Sequence, residues 1–195
     1  MCIRDSYKTD EILMIIFSNI KSILLIIFFG LITSCSSNQS MKPQDFKDKK
    51  PRLVIEEYLS GNVKAWGILQ NRSGKVTRQF SATLNGNWDG KKLILDEKFN
   101  WDDGEVQDRQ WHITKLDEHN YEGTASDVVG KAKGYSYGPA FKFEYVLLVP
   151  VKGKEIKITF DDWIFMQDEK VAINRAKMTK FGFKVAELTV FFVKE

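Results

Sequence analysis

Cysteine is nearly missing from this chain: 195 residues contain two, Cys2 and Cys35. Neither lies in the long second part of the sequence, which excludes disulfides, thiolate zinc sites and a thiol nucleophile there. Histidine is equally scarce. His112 and His119 stand apart without a matching carboxylate pattern, so neither a metal site nor a cofactor is expected. No apolar run is long enough to cross a membrane: Ile23 to Ile32 spans ten residues, whereas a transmembrane helix needs about 20. No long segment keeps a 3.6-residue apolar period, which excludes a helical bundle. Charge of one sign is not clustered either. The formal net charge is +3, with 29 basic and 26 acidic residues interspersed, a pattern that argues against a nucleic-acid surface.

What is present begins with "SILLIIFFGLITSCSSNQS", residues 22 to 40. Ten apolar residues behind Lys21 match the core of a secretory signal peptide. "ITSC" then places an aliphatic residue and two small ones before Cys35, in the manner of a bacterial lipobox. Residues 14–34 are therefore expected to be a lipoprotein signal peptide, with Cys35 the lipidated residue. Acyl chains contribute about 0.8 kcal/mol per buried methylene, enough together for a firm membrane anchor. Ser36, where an aspartate would favour inner-membrane retention, points to the periplasmic face of the outer membrane. Residues 1–13, "MCIRDSYKTDEIL", carry three acids ahead of an export signal and resemble a translated sequencing adapter, so they read as a non-native extension. Residues 36–52 are polar with two prolines and read as a flexible tether.

From Leu53 to Glu195 the sequence is β-rich and has the size of one domain. Short runs of β-branched and aromatic residues, such as "KVTRQFSATL", "LILDEKFNW" and "FKFEYVLLV", are separated by regularly spaced turn signals. About nine such strands predict an all-β fold, an antiparallel meander closing into a barrel of about eight to ten strands. "RLVIEEYLS" could add one or two helical turns. Phe141, Phe143, Tyr145, Leu147 and Val149 share one face of their strand.

Two hairpins can be registered. "WDDGE" suits a three-residue loop with Gly104 left-handed. This pairs Leu93 with Ile113, Leu95 with Trp111 and Glu97 with Arg109, and the apolar members mark that face as inward. A second hairpin turning at Asp168 and Glu169 sets Asp162 opposite Arg175, again among apolar neighbours. Each hairpin is thus expected to turn one carboxylate–guanidinium pair inward. The pairs can be structural, with an arginine closing the barrel over a tryptophan such as Trp88. They can instead orient the polar head of a ligand, since arginine's planar fork suits a carboxylate or phosphate. Catalysis by Glu97 or Asp162 as general base is the third reading, weakened because a base beside arginine is expected to have a depressed pKa. "DDGE" lacks the spaced ligands of a calcium loop, and "GKAKGYSYG" lacks the ending of a phosphate loop.

The runs "AWGILQNRSGKVTRQF", "LDEKFNWDDGEVQDRQW", "YEGTASDVVGKAKG" and "FDDWIFMQDEKVAINRAKMTKFGF" together resemble an uncharacterised family of proteobacterial lipoproteins, domain of unknown function 3833. The family's pattern falls here on Glu97, Asp103, Gly104, Arg109, Trp111, Asp127, Gly130, Gly134, Asp162, Trp163, Asn174 and Arg175. Gly138 to Ala140 reads "GPA" where the family often has "GNA". The resemblance implies a lipocalin-like barrel and brings no established activity. Family members are often encoded near fatty-acid-modifying enzymes, which implies a lipid connection.

The expected protein is a monomeric, outer-membrane-anchored barrel binding a lipid or fatty-acid-like ligand. Glu97, Arg109, Trp111, Tyr145, Asp162 and Arg175 are the candidate ligand-binding residues. An enzyme acting on such a ligand and a scaffold with a filled core are the alternatives. A Cys35→Ala chain should be unlipidated and missing from the outer-membrane fraction, as membrane fractionation and intact-mass measurement would show. Its persistence there would overturn the lipobox.

Overall fold

The computed structural model describes residues 40–151 and 153–195. The signal segment 14–34, Cys35 and the leading residues 1–13 lie outside the described residues. Ten strands follow one another in the chain: β1 (Gly61–Asn71), β2 (Val76–Trp88), β3 (Lys92–Trp101), β4 (Val106–Lys115), β5 (Asn120–Thr124), β6 (Ala132–Tyr137), β7 (Ala140–Val151), β8 (Lys154–Met166), β9 (Val171–Lys180) and β10 (Phe183–Lys194). Each pairs antiparallel with the next, and β10 returns to β1, from Val63↔Lys194 to Asn71↔Ala186. The sheet closes into a barrel without a free edge.

The meander and its closure are as the sequence predicts, with one strand more than the nine apolar runs. β6 comes from "GKAKGYSYGPA", where glycines mask the period-2 alternation. Those glycines have a packing role. A Cβ on Gly134 would sit 2.8 Å from the Phe141 ring, and one on Gly123 2.5 Å from the Phe143 ring. Bare backbone on β5 and β6 thus lets two phenylalanines of β7 lie flat inside the barrel. "YEGTASDVV" reads as one strand in the sequence, but β5 stops at Thr124. Residues 125–131 form a loop pinned to β7 by a bridge between Val128 and Leu147 and by Leu148 N–H donating to the Asp127 carbonyl (2.9 Å).

Because every strand reverses the last, the turns alternate between two rims. One rim carries the β2–β3, β4–β5, β6–β7 and β8–β9 turns and is closed by helix α1 (Ile55–Tyr58). Leu53, Ile55, Tyr58 and Leu59 are buried in this plug. Tyr58 donates to the Lys170 carbonyl (3.0 Å), and Lys194 donates to the carbonyls of Tyr58 (3.1 Å) and Ser60 (3.0 Å). Beneath the helix Glu56 is buried, accepting from the Tyr121 hydroxyl (2.8 Å) and ion-paired with Lys115. Burial raises the Glu56 carboxyl, yet the bonds from Lys115 and Tyr121 outweigh it and hold the group below its usual range. The opposite rim, the tip rim, carries the other five turns.

The expected tether reaches Arg52, but from Lys42 onward the chain is seated on the barrel. Pro43–Phe46 make one 3-10 turn, and the Phe46 ring packs on Phe165 (5.4 Å) and Trp163 (6.0 Å) at the outer wall. One aromatic side chain in an otherwise polar segment is enough to dock it. Residues Lys42 to Glu195 form one unit that contains the whole described core. Gly123→Ala should push Phe143 into the lumen and destabilise the barrel by about 1–3 kcal/mol. Urea unfolding would register the loss as a lower midpoint.

Candidate functional site

Alternation sends one side of each strand into the lumen, and the polar residues on those inward positions are few. From β3 and β4 come Glu97, Arg109 and Trp111. From β7, β8 and β9 come Tyr145, Asp162 and Asn174. All six line a cavity of about 110 Å³ whose remaining wall is apolar, including Leu95, Phe143, Ile164 and Val190. Trp111 packs on Phe143 (5.1 Å) and edge-on to Tyr145 (5.3 Å), and Tyr145 stacks on Phe160 (5.0 Å). Such aromatic packing fills most of the lumen. The space left is well below the roughly 300–1,000 Å³ typical of pockets for drug-sized ligands.

The first hairpin has the register expected. Leu95 faces Trp111, Glu97 faces Arg109, and Gly104 has φ +87°. The guanidinium nonetheless turns mainly to a residue that hairpin reasoning missed. Arg109 Nε and Nη2 both donate to Asp127 Oδ2 (3.0 and 2.8 Å), while Glu97 Oε2 stands 3.7 Å from Nη1. Asp127 reaches the mouth of the barrel from the loop pinned to β7. No strand periodicity marks it, and only the family resemblance singles it out.

The second hairpin differs from expectation by one residue. Asp162 faces Ala176, and Arg175 faces Trp163. The turn holds three residues because the Asp168 carboxylate accepts from the backbone N–H groups of Lys170 and Val171 (both 2.8 Å). A slip of one residue moves every side chain to the other face. Arg175 therefore points outward, 62 % exposed, and pairs with Glu187, so it is no part of the lumen. Asp162 does face inward, and in place of an arginine it accepts from the Tyr145 hydroxyl (3.0 Å) and from the Asn174 amide. Asn174 also donates to the Trp163 carbonyl (3.2 Å). Closure by an arginine over a tryptophan does occur, but with Arg78 over Trp101 (4.0 Å) rather than at Trp88. Asp103 (2.7 Å) and Glu105 (2.8 Å) of the β3–β4 turn hold Arg78 there.

The lumen thus sets three carboxyl groups, Glu97, Asp127 and Asp162, around one guanidinium. Burial pushes Glu97 up to about 7, against the pull of Arg109 and with help from the Asp162 and Asp127 charges. Burial also raises Asp162 to about 6, against the hydrogen bonds from Asn174 and Tyr145. The expectation of a depressed carboxylate fails because Arg109 is shared and the apolar wall dominates. Burial and then Asp162 raise the Tyr145 hydroxyl well above its ordinary value. Burial opposes the charge on Arg109, but Glu97 and Asp127 outweigh it and keep the guanidinium ionised. Glu97 Oε2 and Asp127 Oδ1 are buried without a hydrogen-bond partner. Among the described residues no three His, Cys, Asp or Glu side chains are gathered as metal ligands.

Closure, short turns and an apolar lumen with a few converging polar groups define a small up-and-down β-barrel of lipocalin-like build. The chain belongs to the family described as protein of unknown function, DUF3833, whose model matches residues 29–194. Among solved structures it is similar to a protein of unknown function from the DUF3598 family of Nostoc punctiforme PCC 73102. That likeness has 14 % identity and a TM-score of 0.56, covering 75 % of this chain and 51 % of the other, so this chain spans about half that protein's length. The S-type phycobiliprotein lyase CPES from Guillardia theta is similar at 8 % identity and a TM-score of 0.52, covering 72 % of this chain and 90 % of the lyase. At such identities the likeness establishes the fold alone. The sequence matches no curated protein.

Raised carboxyls make stability depend on pH in a defined direction. Glu97 and Asp162 hold protons in the folded state over ranges, about 4.5 to 7 and 3.8 to 6, where the unfolded chain releases them. Their contribution is complete below those ranges and is lost as the pH rises through them. For Glu97 the loss is on the order of 3 kcal/mol. The Tm contribution of these two groups should therefore fall between about pH 4 and 7, and Glu97→Gln should flatten that slope in thermal melts.

Proposed function

We propose that this protein is a lipid-anchored barrel that holds a small, largely apolar ligand in its lumen and engages the ligand's polar end at Glu97 and Asp162. The observation that carries this reading is Glu97 Oε2, buried without a hydrogen-bond partner in a cavity whose wall is mostly apolar. An orphaned buried acceptor costs about 1–3 kcal/mol, and a ligand's hydroxyl, amide or amine hydrogen would recover it. The charge balance narrows the ligand further. Three carboxyls share one arginine, so the lumen favours a neutral or cationic head over a free carboxylate. Among lipid-like ligands this selects a fatty alcohol, amide or monoacylglycerol rather than a fatty acid. The cavity volume restricts what enters to a short apolar segment unless wall side chains such as Phe99, Leu188 and Phe192 move aside. Anchoring through Cys35 at the periplasmic face of the outer membrane rests on the "ITSC" pattern.

A second reading has one observation in its favour. A carboxyl raised to about 7, as Glu97 is, suits a general base or acid near neutral pH. An enzyme acting on the same ligand would use Glu97 for proton transfer, with Tyr145, Asp162 and Asn174 orienting the polar end.

Native mass spectrometry of the self-contained segment Met41–Glu195, purified from bacteria with nothing added, tests the binding reading. The expected result is a discrete mass excess released by organic solvent, replaced more readily by a monoacylglycerol than by a fatty acid of the same length. An apo mass unchanged by either would overturn it in favour of a filled-core scaffold.

A further inference from the structure

The tip rim contains a feature the lumen does not use. The β9–β10 turn reads "KFGFK", and both of its phenylalanines stand in the open: Phe181 is 89 % exposed and Phe183 68 %. Phe181 also has φ +51° and Gly182 φ +81°. A two-residue turn with both residues left-handed is one that Asn-Gly or Gly-Gly adopts readily. A bulky residue at such a φ is strained, and here no packing inside the barrel compensates for it. A break in local rules without an internal gain points outside the fold.

The neighbouring tips share this character. Around the barrel the strands run β2, β1, β10, β9, β8, β7, so the β1–β2, β9–β10 and β7–β8 turns are adjacent. They expose Val76 and Val151 beside the two phenylalanines. Their cations are Arg72, Lys75, Lys154, Lys157, Lys180 and Lys184, against the acids Glu155 and Glu187. Lys184 is held by Glu187, and the other five have no ion pair among the described residues. The remaining arc of the rim differs, because Asp103, Glu105 and Asp127 are engaged there with Arg78 and Arg109.

We propose that this basic, aromatic arc is a membrane-docking surface. Phe181 and Phe183 enter the headgroup region of an anionic phospholipid bilayer, and the flanking lysines and Arg72 engage its phosphates. Aromatic side chains favour that interface. Basic groups near an anionic surface add attraction that salt weakens. Lysine stems can lie along the apolar layer while their ammonium groups stay at the phosphates. The surface lies at the opposite end of the barrel from helix α1, and Phe181 and Phe183 are not among the residues that line the lumen.

The test uses the segment Met41–Glu195, which lacks Cys35 and the apolar run and so isolates the tip from the anchor. Sedimentation with phosphatidylglycerol-containing vesicles should carry the parent down, and phosphatidylcholine vesicles should do so much less. In the variant Phe181→Asn with Phe183→Thr, binding should fall at least about tenfold and raised salt should weaken what remains. The same variant should melt no lower than the parent, because asparagine suits the turn and neither ring is packed. Undiminished binding by the variant, or equal binding of the parent to both vesicle types, would overturn the proposal. So would a parent that ignores vesicles and instead forms a dimer that the variant abolishes, since the arc would then be a contact between copies.

Discussion

One guanidinium holds the interior of this barrel together electrostatically. Arg109 is the only cation among the lumen-lining residues, and Glu97, Asp127 and Asp162 surround it with one more negative group than two ion pairs could use. The rest of the wall, including Phe143, Ile164 and Val190, is apolar and disfavours uncompensated charge. Burial therefore raises the affinity of Glu97 and Asp162 for protons, that of Glu97 to about 7. Much else follows from that constraint. The loop after β5 must fold back over β7 to deliver Asp127, and Tyr145 and Asn174 must spend their donors on Asp162.

The parts legible in the sequence are those set by short-range chemistry. "WDDGE" supplies both a left-handed glycine and a like-charge clash in the competing register, so the β3–β4 pairing and the inward positions of Glu97, Arg109 and Trp111 can be read directly. The β8–β9 pairing cannot, because its register turns on whether the Asp168 side chain takes two backbone N–H groups, and both turn lengths leave plausible apolar neighbours. That single residue of slip decides whether Arg175 is in the lumen or in solvent. β6 is hidden for a different reason, since Gly134 beneath Phe141 interrupts the alternation that marks a strand. Asp127 is hidden because its position depends on a loop anchored far away in sequence.

The two rims are built for different purposes. At the plug rim Tyr58 and Lys194 tie helix α1 to the β8–β9 turn and to the end of β10. The tip rim is divided. One arc is closed by Arg78 over Trp101 and by the Asp127 loop, and the other leaves phenylalanines and lysines unsupported. The contrast lies in the large aromatic side chains, which are covered along the first arc, as Trp101 is by Arg78, and stand in solvent as Phe181 and Phe183 on the second.

The seam between β1 and β10 has a kinetic meaning. Val63 pairs with Lys194, so the first and last strands meet only across nearly the entire length of the domain. Contacts of such sequence separation are slow to form because their loop entropy must be overcome before they contribute. A chain still lacking β10 presents two open strand edges, on β1 and β9, each a template for pairing with another chain. The barrel is thus most vulnerable to aggregation in the interval before its last dozen residues are available. Once β10 has zipped against β1, that vulnerability ends in a single step.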